Sequence, residues 1–194
     1  MDINCTIGFR PQDARLVSLL YNETFGQYFK LAVPNSVKRA ALLQQFLEPN
    51  CCVAAYLEEH LLGVLGFAHL RETLIKKVSL CTLIKNLGFL SGLWAAFVLK
   101  YVRQKPRPDE LLVIGLAIDP QCRGIGVGQQ LLRCLIQHAR TYHYNRIRIE
   151  FPAMTEAEHR FFIKQGFVQE SISLTSRMWQ LLYWKKVTCM VMYL

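Results

Sequence analysis

The chain has 194 residues, enough for one domain with a real core, and its 52% hydrophobic content excludes an intrinsically disordered protein. A formal charge of +9 points to a polyanionic partner, and a nucleic acid, an anionic membrane and a phosphate-rich ligand all match that sign. Seven cysteines, an odd number with no CxxC pair, fit free or buried thiols in a reducing compartment and not a disulfide framework.

Met1-Asp2-Ile3-Asn4 carries no basic stretch leading into an apolar run, so no secretory signal is expected and a cytoplasmic location is. Ile3, Cys5, Ile7 and Phe9 alternate with polar or small residues, the pattern of a strand. Pro11 and Asp13 then open an amphipathic helix carrying Leu16, Val17, Leu19, Leu20 and Phe25. A second helix runs from Asn35 to Leu47, with Asn35 or Ser36 as its cap. The apolar runs Cys51–Leu57 and Leu61–Leu70, parted by Glu58-Glu59-His60, read as a hairpin.

Residues 71–108 differ in character and read as an insertion. Eight basic residues stand against Glu72 alone, which places +7 of the total +9 here. Between the charges lies the apolar segment 86–99, short of the ~20 residues that a membrane-spanning helix needs. One or two helices are expected, ending at Pro106 and Pro108. Such a segment either packs on the sheet, closes over an acyl chain, or rests on an anionic membrane.

Leu111–Ile118 is a continuous apolar run, suited to a strand buried on both faces. After Asp119-Pro120 comes a glycine-rich segment, Arg123-Gly124-Ile125-Gly126-Val127-Gly128, and then a helix to about Tyr142 with Val127, Leu131, Leu132, Leu135, Ile136 and Ala139 on one face. Arg146–Phe151 is the next strand. Thr155 and Glu158 form a capping box for a helix that ends at Lys164-Gln165, with Gly166 just past it. Strands near Phe167–Leu174 and Lys186–Leu194 close the chain. Trp179, Tyr183, Trp184, Met190, Met192 and Tyr193 are expected to fill the core or a homodimer seam. The order β-α-α-β-β-(insertion)-β-α-β-α-β-β implies a single α/β (α+β) domain, a mixed sheet with helices on both faces.

A strand that runs into glycines and then a helix builds an anion site. The first helical amides lack carbonyl partners, the helix dipole adds positive potential, and glycines let a phosphate come close. Arg123 adds a charge-assisted donor. A nucleotide P-loop would need GK[ST] where Gly128-Gln129-Gln130 stands. A dinucleotide fingerprint would need a third glycine where Gln129 falls, although Glu150 sits about where a ribose-binding acid would, so a nicotinamide-dependent oxidoreductase is a rival reading.

The segment from Leu116 to Leu132 resembles the acyl-CoA motif [QR]-x-x-G-x-[GA] of the GNAT superfamily of N-acetyltransferases, matched by Arg123, Gly126 and Gly128. Phe161-Phe162-Ile163-Lys164-Gln165-Gly166-Phe167 resembles the superfamily's helix-to-strand ending. The resemblance implies a mostly antiparallel sheet of about seven strands, splayed between strands four and five, with acetyl-CoA or another acyl-CoA as co-substrate. It places Leu116, Ala117 and Ile118 against the pantetheine arm. Arg123, Gly124, Ile125, Gly126, Val127 and Gly128 would hold the pyrophosphate, and Thr155 stands where an asparagine usually contacts the arm. The acceptor would be a small-molecule or protein amine, and no specific nucleic-acid partner or metal is implied.

The chain departs from the superfamily at the reacting groups. Leu112 and Ile114 occupy the usual base positions and Phe162 replaces a frequent tyrosine acid. Glu110 is the expected base, with His69 and Glu72 as further candidates, and Cys122 or Cys134 would serve a covalent route. A catalytically silent acyl-CoA-binding module is therefore a second reading.

Overall fold

The computed structural model describes residues 3–76, 78–102, 106–152, 154–173 and 187–194. In chain order they form β1 (Asn4–Ile7), α1 (Ala14–Phe29), α2 (Ser36–Phe46), β2 (Cys52–Leu57), β3 (His60–Ala68), α3 (Leu80–Leu87), α4 (Phe89–Val102), β4 (Glu110–Ile118), α5 (Val127–Thr141), β5 (Arg146–Pro152), α6 (Glu156–Lys164), β6 (Val168–Ser173) and β7 (Val187–Tyr193). This is the order expected from the sequence. Local chemistry sets several boundaries. Asn35 caps α2 by accepting from the Lys38 amide at 2.9 Å, Thr155 and Glu158 close a complete capping box on α6, and Gly166 leaves α6 at φ +93°.

The seven strands form one sheet in the order β1-β2-β3-β4-β5-β7-β6. Every neighbouring pair is antiparallel except β4 and β5, which run parallel. A dinucleotide-binding unit needs a parallel sheet of repeated βαβ units, so this topology removes the oxidoreductase reading based on Glu150. α5 and α6 cover one face, packing Leu131, Leu132, Leu135 and Phe162 on Val53, Leu65, Leu111, Ile147 and Met190. α1 and α2 cover the other face over β2 to β4, through Val17, Leu20, Tyr21 and Leu43. The inward stripe of α1 is narrower than expected, because Leu16 and Leu19 are exposed.

The insertion is a helical hairpin, α3 and α4, seated on the link between α1 and α2. Leu83, Ala95 and Val98 pack with Ala32 and Val33, and the Trp94 indole donates to the Leu31 carbonyl at 2.8 Å. At the C-terminus Met190 and Met192 enter the core as expected, whereas Tyr193 is exposed. Trp179, Tyr183 and Trp184 lie outside the described residues.

Candidate active site

β4 changes course halfway along. On β3, Gly66 pairs with Gly115 and Phe67 with Val113, so Ile114 is an extra residue, a β-bulge. The faces record it: Leu111 and Val113 point to the α5 side before the bulge, and Leu116 and Ile118 do so after it. Pairing with β5 stops at the same point, since only Glu110 to Val113 match Arg146 to Ile149. Among the described residues, no strand lies beside the β5-side edge of β4 from Ile114 to Ile118, which is the splay expected between strands four and five.

Tyr21 fixes this junction. Its hydroxyl accepts from the Gly66 amide at 2.8 Å and donates to the Gly115 carbonyl at 2.9 Å, satisfying main-chain groups of both strands beside the bulge. A Cβ on Gly66 would lie 2.3 Å from that oxygen, and a Cβ on Gly115 would lie 2.5 Å from the Phe25 ring, so both positions require glycine.

The glycine segment follows directly. Asp119 caps the short turn at Pro120–Cys122, and Gly124 and Gly126 adopt φ +82° and +93°. Gly126 is the N-cap of α5 and offers no side chain to its first turn. Among the turn and cap hydrogen bonds of the described residues, none is donated by an amide from 123 through 129. A Cβ on Gly124 or Gly126 would meet nothing within 4 Å, so the space beside these two Cα atoms is open, and Arg123 is exposed next to them. Gly128 serves otherwise: its Cβ position is 3.2 Å from Ile118 Cδ1, so the glycine lets α5 lie close on β4.

On the sheet face opposite α5 lies a row of charge. Ile147 and Ile149 point into the α5 core, so Arg146, Arg148 and Glu150 take the other face. Glu110 Oε1 accepts from Arg148 Nε at 3.0 Å, from Arg148 Nη2 at 2.6 Å and from the Arg107 amide at 2.6 Å. Glu110 Oε2 faces Arg146 Nε at 3.1 Å in an ion pair without hydrogen-bond geometry. Burial pushes the Glu110 carboxyl up, but the hydrogen bonds from Arg148 and the Arg107 amide, with the two arginine charges, outweigh it and hold the group below the ordinary carboxylate value. Arg148 also pairs with Glu150, which is half-buried.

These positions separate the carboxylates along the strands. Glu110 opens β4 at its closed end, four residues before the bulge, or ~13 Å at about 3.3 Å per residue. Glu150 is the first β5 residue past the last β4 pair, level with Ile114. His69 and Glu72 lie 3.8 Å apart just past the end of β3, on the Glu110 side, where His69, Leu70, Arg71, Asp109, Glu110 and Tyr144 line a cavity of about 290 Å³. Their ligand atoms and the Cys51 thiol fall within 4.8 Å of one another, with burial pushing that thiol up to about 12. All seven cysteines are free, and burial raises the Cys134 thiol as well. Thr155 Oγ1 accepts from the Glu158 amide at 3.2 Å and faces Glu158 Oε2 at 2.8 Å, so it can accept from a ligand but has no proton left to donate. Leu112 is buried, Ile114 half-buried, and Phe162 sits in the core between Phe161 and Phe167.

Sequence reasoning missed the junction at Ile114 and the role of Tyr21. The available signal was Gly115, because a glycine inside a strand pattern marks a bulge or a close approach.

A family model described as "Acetyltransferase (GNAT) family" matches residues 18–167. No curated protein sequence matches the chain. Among solved structures, Ard1 from Thermoplasma volcanium is similar over 100% of this chain and 99% of its own, at TM-score 0.61 and 14% identity. The Bacillus subtilis acetyltransferase in complex with CoA is similar over 100% and 99%, at TM-score 0.55 and 14% identity. The ribosomal-protein-S18-alanine N-acetyltransferase from Escherichia coli is similar over 99% and 94%, at TM-score 0.54 and 11% identity.

Proposed function

The chain belongs to the acetyltransferase (GNAT) family, and from that premise we propose that it transfers an acetyl or other short acyl group from acyl-CoA to a primary amine by direct attack in a ternary complex. One observation carries the reading. β4 leaves β5 at a bulge and leads straight into amides at the start of α5 that donate no turn or cap hydrogen bond among the described residues, so a gap lined by main-chain groups ends at an anion cradle. The cradle suits a pyrophosphate, because no side chain crowds Gly124 or Gly126 and both hold a backbone conformation that glycine alone adopts without strain.

When bound, acetyl-CoA supplies an acyl group activated as a thioester. The chain's own residues position it. Arg123 and the amides of Gly124, Ile125, Gly126, Val127 and Gly128 hold the phosphates. Main-chain groups of Leu116, Ala117 and Ile118 pair with the pantetheine amides, with Thr155 as a further acceptor. A β4 amide at the bulge donates to the acyl oxygen as negative charge develops there.

The amine needs a base, because an ammonium has no lone pair. Glu150 is best placed: it lies at the apex of the splay, on the face away from α5, and Arg148 fixes its carboxylate. Glu110, expected from the sequence as the base, becomes a positioning residue in this reading. It is buried, held ionised by two arginines and ~13 Å from the bulge, and it acts through Arg148.

Small-molecule and protein amines both suit an open face of this kind, and the seven free cysteines favour a cytoplasmic setting. Thiol release from acetyl-CoA across a panel of small amines and peptide N-termini tests the activity. Tight CoA binding by titration calorimetry without thiol release from any amine would establish the silent-module reading that Leu112, Ile114 and Phe162 motivate.

A further inference from the structure

α4 is apolar almost all the way round, yet among the described residues only half of it is covered. Gly92, Ala95 and Val98 face inward, and a Cβ on Gly92 would lie 2.6 Å from the backbone of Ile84, so α3 and α4 are pressed together. The opposite side presents Leu90, Leu93, Trp94 and Phe97, exposed by 79%, 40%, 46% and 43%, at the i, i+3, i+4, i+7 spacing of one helical face. Phe89, 65% exposed, extends this face to the hairpin tip at Gly88. A helix that is apolar on all sides requires an apolar medium on all sides.

Charge identifies that medium. From residue 73 through 108 the sequence holds seven Lys and Arg and no acid. Lys85, in the last turn of α3, is exposed beside the tip. The Trp94 indole has its N–H satisfied by Leu31 while part of its ring faces outward, the arrangement of an interfacial anchor. Two copies of so basic a segment would repel each other, and a nucleic acid would leave the apolar face in water. Among the described residues no helix is long and apolar enough to cross a membrane.

We propose that the α3–α4 hairpin docks the protein on the surface of an anionic lipid bilayer, with Phe89, Leu90, Leu93, Trp94 and Phe97 entering the headgroup region and Lys85 meeting lipid phosphates. The hairpin rests on the α1–α2 link, so docking holds that side of the domain against the bilayer. The inference stands apart from the acyl-transfer reading, since it uses none of the residues placed in that site.

Sedimentation of the full chain with sucrose-loaded vesicles tests it. The protein should pellet with phosphatidylcholine vesicles containing phosphatidylglycerol, remain in solution with phosphatidylcholine alone, and be released by salt. Leu90→Gln with Leu93→Gln should weaken partitioning about tenfold or more, and Lys85→Ala about fivefold. Both changes lie on exposed positions, and circular dichroism with unchanged CoA affinity verifies the fold. Failure to bind anionic vesicles at low salt, equal binding to neutral vesicles, or undiminished binding by the Leu90/Leu93 variant would overturn the proposal. So would light scattering that shows a dimer dissolved by that variant, which would assign the face to a second copy of the chain.

Discussion

Arg148 donates through both Nε and Nη2 to one oxygen of Glu110, at 3.0 and 2.6 Å, and neither side chain is more than 5% exposed. Two charges so placed have given up most of their hydration, and their mutual attraction offsets that loss only while both are present. Glu110→Gln keeps the shape and removes the charge that faces Arg148. The variant should lose about 3 kcal/mol of stability, read as a lower urea midpoint at unchanged slope. An unchanged midpoint would show that the pair contributes nothing to the fold.

The same pair makes stability fall in acid. The Glu110 carboxyl titrates below its ordinary value of 4.5 in the folded chain, despite burial, because of Arg148, the Arg107 amide and Arg146. The unfolded chain therefore takes up the proton first. The contribution is complete above about 4.5 and is lost as pH falls through the folded value. His138, half-buried against Phe67 and Tyr142 and near His69, titrates below 6.5 because of its partial burial and His69, so its contribution is likewise complete above 6.5 and lost as pH falls. Stability measured against pH should decline in two stages on acidification. His138→Leu should flatten the upper stage and Glu110→Gln the lower.

Tyr21→Phe separates the bulge from the rest of the core. It deletes one oxygen and leaves the Gly66 amide and the Gly115 carbonyl buried without that partner. The cost should be about 1–3 kcal/mol in thermal or urea unfolding. If the bulge positions the acyl group, kcat should fall further than that loss of stability accounts for at a temperature where the variant is fully folded. Wild-type kcat in the folded variant would remove the junction from the catalytic argument.

Much of this fold is written in local patterns. The apolar period of α5, the capping box at Thr155 and Glu158, and the glycine at 166 are each decided within a few residues of chain, so their reading from sequence and their geometry coincide. The glycine segment is legible for the same reason, since a strand, a φ-permissive turn and a helix start are neighbours in sequence. The catalytic end is not. Whether Glu110 or Glu150 faces the splay depends on where β4 stops pairing with β5, and that depends on a bulge stabilised by a tyrosine 94 residues away. No local pattern carries such a distance. The exposed face of α4 was hidden for the opposite reason: its composition reads as core, and only packing reveals which half is left bare.

At the cradle, charge and backbone strain can be tested apart. Arg123→Ala removes an exposed guanidinium without touching a packed group, and should weaken CoA binding about tenfold through loss of a charge-assisted contact while leaving stability unchanged. Gly126→Ala forces a side chain into φ +93°, so it should cost about 1–2 kcal/mol of stability as well as affinity. Calorimetry with acetyl-CoA, paired with thermal unfolding, distinguishes the two. Full affinity in both variants would place the phosphates elsewhere.

Glu150→Gln addresses the chemistry itself. The carboxylate belongs to the β5 residue level with the bulge and is oriented by Arg148. Replacing it with an amide keeps its size and its capacity to accept from Arg148, but removes the ability to take a proton from an ammonium. The expected result is a fall in kcat of about 10²–10⁴, with CoA affinity held at the wild-type level. The rate should also regain part of its value as pH rises toward the amine's own pKa, because solution then supplies the deprotonated nucleophile. A merely structural role for Glu150 would lower kcat equally at every pH. Glu110→Gln should give an intermediate result, since Arg148 would remain but be less firmly held. If instead Glu110→Gln abolished turnover and Glu150→Gln left it intact, the base would be at the closed end of β4 and the amine would have to reach it there.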